Sequence, residues 1–402
     1  MKTVIKSFKG QLIFGLVVIL SLLVIPLAPA LAQDSQPKIK AMTRNLYLGA
    51  DIFKVVEAAQ ENPDDPLAVP IAVSELYHTM LFTNFWARAE AIADEIEEKN
   101  PDVIGLQEVS QYFKQTPSDF VEGGTEPASF MVIDFYEVLN DALLDRGLYY
   151  EEFEQKNADV ELPMLDLKSP NFFSDVRMVD RDIILVRDNG YSPAEVLSAN
   201  YQANLSLNLG GVDLQFTRGF LIVDVNIKGN DFRFANTHLE VRSEVGSPFR
   251  VIQSWQMEEL LGTLAYYSSV DPKPVVMVGD FNSSSDDVSG TGVIPGMGSF
   301  PYDPPYMQAI DAGYLDAWTE QETYDEGFTS GFGEYISNPF DELTTRIDLI
   351  FVYPIGLSID KVKCDVVGDK FWDMVPNPLM PRILRLWPSD HAGVVGKIKF
   401  MN

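Results

Sequence analysis

The chain has 402 residues, of which 46% are hydrophobic and 22% charged, and its formal net charge is −29. This is ordinary composition for a globular protein with enough apolar material for a large core. The acidic balance repels polyanions at long range, which weighs against a tight nucleic-acid binder. Cys364 is the single cysteine, which excludes an intrachain disulfide, and we expect it to be a small buried side chain.

The first 32 residues are predicted to be a signal peptide and not part of the fold. A basic start precedes an almost wholly apolar stretch at 12–27, and small residues at 30–32 supply the pattern that a signal peptidase reads. We therefore expect a secreted protein, extracellular or periplasmic, with residues 33–402 as one domain. An uncleaved membrane anchor is the alternative, because the apolar stretch approaches the length of a span.

Apolar runs of strand length recur along the rest of the chain, which indicates a mixed α/β (α+β) layered domain. Helices are predicted at 84–99, where Asn84 can serve as the N-cap, and from Ser247 to about residue 267. The predicted strands are 39–46, 103–106, 183–186, 220–225, 232–237, 275–278, 347–352 and 394–400.

Three segments carry few strand signals. Residues 50–83 form an insertion with a helical stretch at 72–82. We expect long loops with short helices at 110–180, where Pro, Asp, Gly and aromatic residues mix, and a long loop at 283–306. Such loops commonly surround a site and set substrate choice.

Two predicted strands end in polar side chains. Asp280 and Asn282 follow a buried strand two residues apart, so they lie on the same side of the chain. An acid beside an amide can orient a water and hold a phosphate oxygen; a strand-end turn is the alternative. Glu108 closes another buried strand, where a carboxylate is costly unless paired, hydrated or bound to a metal. A solvent-facing glutamate is the alternative there.

The chain has only three histidines. His238 ends a predicted strand and His391 precedes one, positions where an imidazole can meet a substrate. We interpret His78 as structural. Asp348 alternates with apolar neighbours in its strand, and a buried aspartate needs a donor, commonly a histidine N–H. A pair with Arg346 is the alternative.

Six short motifs in this order resemble the successive motifs of the endonuclease/exonuclease/phosphatase superfamily. That superfamily includes DNase I-like nucleases, neutral sphingomyelinases and inositol polyphosphate 5-phosphatases. Each motif is weak alone, but all six in order are specific, and the resemblance spans about residues 39–400. The motif residues are Asn45 after Met42-Thr43-Arg44, Glu108 after Leu106-Gln107, Asn236-Thr237-His238, Gly279-Asp280-Phe281-Asn282, Arg346-Ile347-Asp348 and Ser389-Asp390-His391.

The resemblance implies a DNase I-like four-layer sandwich, with two packed, mostly antiparallel β-sheets flanked by helices. It also implies a metal-dependent phosphoric ester hydrolase that uses in-line attack of water. Glu108 would be the main ligand of Mg²⁺ (or Mn²⁺ or Ca²⁺), helped by Asn45 and Asp390. Asp280 would align and deprotonate the water, and Asn282 would hold the water and the phosphate.

The remaining roles implied by the resemblance concern the phosphate. His391, oriented by Asp348, would donate to the phosphoryl oxygens. His238 would contact phosphate or protonate the leaving oxygen. Arg218 resembles a phosphate-contacting arginine of some DNase I-like members, with a surface arginine as the alternative. Phosphoryl transfer fits these roles because it needs positioning and charge neutralisation more than covalent chemistry.

The substrate class stays open at this stage. The setting of His238 resembles the diesterase branches, so we expect a phosphodiester, from a nucleic acid or a phospholipid head group. A sphingomyelinase-like or phosphoinositide phosphoesterase is the alternative to a nuclease, and a catalytically idle binding module is the alternative of another class. The apolar segment 371–380 is either a loop for transient membrane-surface contact or a loop packed on the core. No obligate protein partner is evident.

Overall fold

The computed structural model describes residues 36–188, 193–209, 212–322 and 325–401. The predicted signal peptide lies outside the described residues. Among the residues described, no helix has the length and apolarity needed to cross a membrane. The helices are α1 (Phe53–Glu61), α2 (Ala68–Phe82), α3 (Phe85–Lys99), α4 (Phe135–Asp145), α5 (Pro248–Val270) and α6 (Pro305–Asp311).

Strands supply most of the regular structure. In chain order they are β1 (Lys38–Asn45), β2 (Val103–Gln107), β3 (Gln111–Gln115), β4 (Phe130–Asp134), β5 (Tyr150–Leu165), β6 (Phe173–Arg187), β7 (Ala194–Asn200), β8 (Leu205–Leu209), β9 (Val212–Phe216), β10 (Gly219–Ile227), β11 (Asn230–His238), β12 (Val275–Asp280), β13 (Gly290–Ile294), β14 (Gly298–Tyr302), β15 (Leu315–Asp316), β16 (Asp348–Tyr353), β17 (Ser358–Val367), β18 (Val375–Pro376), β19 (Arg385–Leu386) and β20 (Gly393–Met401).

The described chain contains two large β-sheets. The first has the order β17-β20-β1-β2-β6-β3-β4, with β5 also paired to β6. The second has the order β15-β16-β12-β11-β10-β7. Neighbouring strands are antiparallel except for β1 with β2 and β11 with β12, which are parallel. The sheets are therefore mostly antiparallel, as predicted.

Three apolar layers separate the sheets and helices. Ile39, Val103 and Ile184 of the first sheet meet residues such as Val276 and Ile350 of the second in one cluster between the sheets. A second cluster joins the first sheet to α1–α4, and a third joins the second sheet to α5 and α6. This alternation of helices, sheet, sheet and helices confirms the predicted four-layer α/β sandwich.

Strand register brings the predicted polar residues to one end of the sandwich. Parallel pairing aligns the carboxyl ends of β1 and β2, so Asn45 lies opposite Gln107, next to Glu108. In the second sheet, Asp280 pairs with His238 on one side and with Asp348 on the other. Residues far apart in sequence thus meet because the strands that carry them end together.

Asn236 connects the two sheets near this end. Its amide nitrogen donates to the carbonyls of Leu106 at 2.9 Å and Ile183 at 3.1 Å, and its Oδ1 accepts from Gln107 at 2.7 Å. The asparagine of the Asn-Thr-His motif is completely buried and satisfied by these bonds. It therefore holds the two sheets together and does not line the cavity at this end of the sandwich.

The prediction of long loops with short helices at 110–180 holds for 116–129, a loop with a 3₁₀ helix at Phe120–Glu122, and is wrong for most of the segment. The rest forms β3, β4, the 11-residue helix α4, the 16-residue strand β5 and the first half of the 15-residue strand β6. β5 pairs with β6 alone among the named strands of the sheet, so it lies at an edge and lacks an apolar run. Its register with β6 shifts between Lys156 and Asp159. The polar side chains and this irregularity conceal the alternation that identifies a strand.

Other boundaries follow the sequence more closely. Asn84 caps α3 as predicted, its Oδ1 accepting the Ala87 N–H at 3.1 Å. The predicted hairpin strands are β10 and β11, and the predicted helix from Ser247 is α5. The expected loop at 283–306 contains the β13–β14 hairpin, so that prediction is wrong in part. Cys364 is buried and free, as expected.

Candidate active site

A cavity of about 280 Å³ lies at the end of the sandwich where the central strands end. Asn45 and Asp348 lie behind its wall, bonded to lining residues. His78 is exposed on α2 and lies outside the cavity, consistent with a structural interpretation. The predicted site residues that line the cavity directly are Glu108, Arg218, His238, Asp280, Asn282, Asp390 and His391.

His391 is held between carboxylates. Its Nδ1 lies 2.8 Å from Oδ2 of Asp348 and 3.8 Å from Oδ2 of Asp280. Burial acts to lower the pKa of His391, but the charges of Asp348, Asp390 and Asp280 outweigh it and hold the pKa well above its usual range. The raised pKa favours the imidazolium, in which Nδ1–H donates to Asp348 and Nε2–H is left for the cavity.

Asp280 is fixed by two amides. The backbone N–H of Asn282 donates to its Oδ1 at 2.9 Å, and the side-chain amide of Asn45 donates to its Oδ2 at 3.1 Å. Burial, and then the charge of Asp348, raise the pKa of Asp280 above its usual range. A carboxylate with raised proton affinity and a fixed orientation is suited to accept a proton from water.

Arg218 orients His238. Nη1 of Arg218 donates to Nδ1 of His238 at 2.9 Å, and since a guanidinium only donates, a neutral ring carries its proton on Nε2. The amide nitrogen of Asn282 lies 3.3 Å from this Nε2 and donates to the carbonyl of Leu239 at 3.2 Å. Burial, and then the charges of Arg218 and His391, hold the pKa of His238 well below its usual range. The neutral ring lies with Nε2 3.6 Å from Oδ2 of Asp280. It suits contact with a phosphate oxygen better than transfer of a proton from an imidazolium.

Glu108 and Asp390 face the same cavity. The backbone N–H of Leu48 donates to Oε2 of Glu108 at 2.6 Å, which leaves Oε1 for a ligand. Burial, and then the charge of Asp390, raise the pKa of Glu108, and burial raises the pKa of Asp390. Two half-buried carboxylates that repel each other fit a divalent cation, and an oxygen donor set suits Mg²⁺, Mn²⁺ or Ca²⁺.

The side chain of Asn45 is already occupied within the protein. Its Oδ1 accepts the backbone N–H of Tyr47 at 2.8 Å, while its amide nitrogen donates to Asp280. In this arrangement Asn45 positions the carboxylate of Asp280, and a ligand role would use the second lone pair of its Oδ1. The assignment of Asn45 as a metal ligand stays a prediction.

A second group of side chains could also hold a metal ion. Atoms of Asp280, Asp348 and His391 lie within 4.8 Å of one another. A cation among them would compete with the 2.8 Å hydrogen bond between Asp348 and His391 and would lie beside an imidazolium. We therefore favour Glu108 and Asp390, whose charges no described hydrogen bond from a cationic side chain neutralises.

Backbone strain concentrates at the site. Tyr47, Glu108 and Asn282 have φ values of 63°, 58° and 49°, in the left-handed region that side-chain-bearing residues rarely adopt. Such conformations cost about 1–3 kcal/mol each and persist only where the surrounding structure enforces them. The turn at Glu108 aims its carboxylate out of the strand direction and into the cavity.

Arg88 was not predicted from the sequence as a site-supporting residue. Its completely buried guanidinium donates to the carbonyls of Leu46 at 2.6 Å, Thr83 at 2.9 Å and Pro388 at 3.0 Å. It thereby joins the chain after Asn45 to the chain before Ser389. The sequence offers no local signal for this role, since Arg88 reads as one polar residue of a helix.

Two further buried acids were also missed. Asp180 and Asp182 lie two residues apart on β6, and the amide of Asn157 donates to Oδ2 of Asp182 at 3.0 Å. Burial would lower the pKa of Arg218, but the charges of Glu240 and Asp180 outweigh it. These acids therefore help to hold Arg218 as a cation at the cavity. The signal was present, since two acids at a spacing of two interrupt an apolar strand.

The segment 371–380 is exposed at its large apolar side chains. Phe371 is 57% exposed, Trp372 76%, Leu379 65% and Met380 46%, whereas Met374 is buried. The alternative of a loop packed on the core is therefore wrong for these four side chains. Contact with a membrane surface stays a prediction.

The cavity and the layers around it define a class of protein. Carboxylates, an imidazolium and a neutral histidine around one cavity, at the end of a four-layer sandwich, suit phosphoester hydrolysis. The chain belongs to the endonuclease/exonuclease/phosphatase family, whose sequence model matches residues 83–391. The fold is accordingly that of a phosphoester hydrolase.

Comparison with solved structures finds proteins of low sequence identity to this chain. Truncated TDP2 from Caenorhabditis elegans is 15% identical, with 90% of this chain and 97% of that chain covered and a TM-score of 0.45. A mannosyl-6-phosphatase from Bacteroides thetaiotaomicron is 14% identical, with 90% and 100% covered and a TM-score of 0.48. A family protein from Leptotrichia buccalis gives the same identity, coverage and TM-score.

These TM-scores are below 0.5, so the family assignment depends on the sequence match. Comparison with curated proteins found no match.

Proposed function

We propose that the protein is a secreted, metal-dependent phosphodiesterase that cleaves its substrate by in-line attack of water on phosphorus. The observation that supports this most directly is the convergence of Glu108, His238, Asp280, Asp390 and His391 on one cavity. Export is supported by the predicted signal peptide at residues 1–32 and by the acidic composition.

Asp280 activates the water in this proposal. Its carboxylate accepts the proton of a water aligned for attack, while Asn282 and Asn45 keep it from rotating. General-base catalysis of this kind contributes roughly 10²–10⁴ in rate.

The two histidines act on opposite sides of the phosphate. The imidazolium of His391, kept protonated by Asp348, donates from Nε2 to a phosphoryl oxygen as negative charge develops there. Neutral His238 donates from Nε2 to another oxygen, and Arg218 supplies a positive charge behind it. No covalent intermediate is required.

Glu108 and Asp390 are the residues that would hold the cation, which we propose to be Mg²⁺. A divalent cation supplies charge neutralisation at the phosphate and polarises its oxygens. The resemblance in the motif around Glu108 and the two mutually repelling carboxylates support this assignment.

A diester is favoured over a monoester by charge. The cavity presents the carboxylates of Glu108, Asp280 and Asp390 to any phosphate that enters. A diester carries one negative charge and a monoester close to two at neutral pH, so repulsion in a low-dielectric site penalises the monoester more.

The first experiment measures hydrolysis of bis-p-nitrophenyl phosphate with Mg²⁺, with and without EDTA, beside p-nitrophenyl phosphate. We expect Mg²⁺-dependent turnover of the diester, little of the monoester, and a roughly 10²–10⁴-fold lower kcat in Asp280→Asn. Asp360→Asn, an exposed aspartate of β17, is the matched control and should retain activity. Mg²⁺-independent rates, or no turnover of either ester, would contradict the proposal and favour an idle binding module.

A second experiment addresses the natural substrate class. Sphingomyelin vesicles and plasmid DNA are compared at equal phosphorus concentration under the same conditions. The net charge of −29 and the exposed apolar side chains at 371–380 favour the lipid. Faster cleavage of the plasmid would assign the protein to the nucleases instead.

A further inference from the structure

An apolar groove with a cavity volume of about 50 Å³ lies beside the active site. Its floor is buried, and its rim consists of the half-buried residues Ile52, Leu76, Val160 and Phe216. The insertion at 50–83, which carried no motif, supplies one wall through α1 and α2. The buried residues of the groove are Val55, Val56, Val73, Tyr112, Leu162, Val176 and Met178.

The groove adjoins the active-site cavity. Ile52 lines both, so the two share a wall. The hydroxyl of Tyr112, whose ring lines the groove, donates to the carbonyl of Leu48 at 2.9 Å, and Leu48 lines the active-site cavity. Phe216 lies two residues before Arg218. A group attached to a phosphate in the active site would reach the groove by passing Ile52.

The wall of the groove selects against polar occupants. Among the described residues that line the groove, Tyr112 carries the only side-chain hydroxyl, and that hydroxyl is already bonded to Leu48. A sugar or a nucleobase placed there would lose hydrogen bonds to water without gaining replacements, at a cost of about 1–3 kcal/mol for each group.

The volume selects the shape of the occupant. A cavity of roughly 150 Å³ accommodates benzene. The volume here is about 50 Å³, so the groove favours a narrow occupant over a ring. A single extended alkyl chain does fit, and the half-open rim allows a longer chain to continue into solvent.

We propose that this groove binds an alkyl chain of the phosphoester substrate, on the ester arm that is not the leaving group. The proposal depends on the proposed phosphodiesterase function and specifies its substrate class as phosphodiesters of aliphatic alcohols.

The test uses a series of alkyl p-nitrophenyl phosphates, from methyl to octyl, all releasing the same p-nitrophenolate. Burial of each methylene in the groove should raise kcat/KM roughly fourfold over the first few carbons. The gain should then level off where the chain leaves the groove. A flat series, or a decline from methyl to hexyl, would overturn the proposal.

A variant with a filled groove gives the second arm. Val160→Phe places a ring at the rim and should bring the ratio of kcat/KM for hexyl over methyl ester close to one. Val138→Phe is the matched control, because Val138 is a half-buried valine that packs on the same core cluster but does not line the groove. Its hexyl-to-methyl ratio should equal that of the unmodified protein, and equal ratios in all three proteins would also overturn the proposal.

Failure of the proposed function gives a different result. In that case the unmodified protein hydrolyses no ester of the series, the methyl ester included. Titration calorimetry with hexylphosphonate and methylphosphonate then tests whether the groove binds an alkyl chain, without requiring turnover. Tighter binding of hexylphosphonate, reduced by Val160→Phe and not by Val138→Phe, supports the groove, and equal binding of the two phosphonates contradicts it.

Discussion

Asp348 is the residue on which the charge of His391 most depends. It is 1% exposed, and its Oδ2 accepts a hydrogen bond from Nδ1–H of His391 at 2.8 Å. An asparagine has the same shape but no charge, so it could not stabilise the imidazolium in the same way.

We expect Asp348→Asn to lower kcat roughly 10²–10⁴-fold with a smaller effect on KM, since the lost interaction strengthens only as charge develops on the phosphate. The measurement is steady-state hydrolysis of bis-p-nitrophenyl phosphate. Asp316→Asn is the control, because Asp316 is equally buried but pairs with Arg346. If both variants lost activity in proportion to lost thermal stability, Asp348 would have a purely structural role.

The sequence revealed individual site residues well because chemistry restricts them to few types. Asp280, Asn282 and Asp348 stand at the ends of apolar runs, and scarcity makes His238 and His391 conspicuous. Contacts made through the backbone were invisible. Arg88 bonds to four carbonyls up to 300 residues away, and carbonyls carry no sequence signature.

At the scale of elements, Gly279 allows β11 and β12 to run close together where they deliver His238 and Asp280. Its φ is +155°, and a Cβ built on it would lie 2.0 Å from the carbonyl oxygen of Thr237. Because this contact is with backbone, a side chain could be accommodated only by opening the parallel register.

Gly279→Ala should therefore lower the free energy of unfolding by about 2–4 kcal/mol and reduce activity. Urea denaturation measures the first effect. Gly262→Ala is the control: this glycine lies in α5 with no atom near its Cβ position, so alanine should stabilise the protein by about 0.5–1 kcal/mol. Equal stability of Gly279→Ala and the unmodified protein would show that the strands tolerate a wider separation.

Elements differed in how readable they were, for a physical reason. Central strands such as β2 and β12 are buried on both faces, so they appear as continuous apolar runs with sharp ends. β5 shows mixed burial along its length, and its register shift disrupts the alternation. The insertion at 50–83 was recognised as helical in part, but its contribution to a groove depends on packing against β5 and β6.

At the scale of the whole molecule, the site is a point of concentrated negative charge in a chain whose net charge is −29. Glu108 and Asp390 are half-buried and repel each other, so the cation-free protein is less stable than it would be without this repulsion. A cation bound to the folded state but not to the unfolded chain stabilises by an amount that grows with its concentration, about 2.7 kcal/mol at one hundred times its Kd.

The final prediction is that Mg²⁺ raises the melting temperature of the unmodified protein by several degrees, beyond the rise given by NaCl at equal ionic strength. Glu108→Gln should differ from the unmodified protein in two respects. Without Mg²⁺ it should melt at the same or a higher temperature, because one of two repelling charges is gone, and the Mg²⁺-specific rise should disappear. Differential scanning calorimetry measures both. A Mg²⁺-specific rise that survives Glu108→Gln would move the cation to Asp280, Asp348 and His391, whose atoms lie within 4.8 Å of one another.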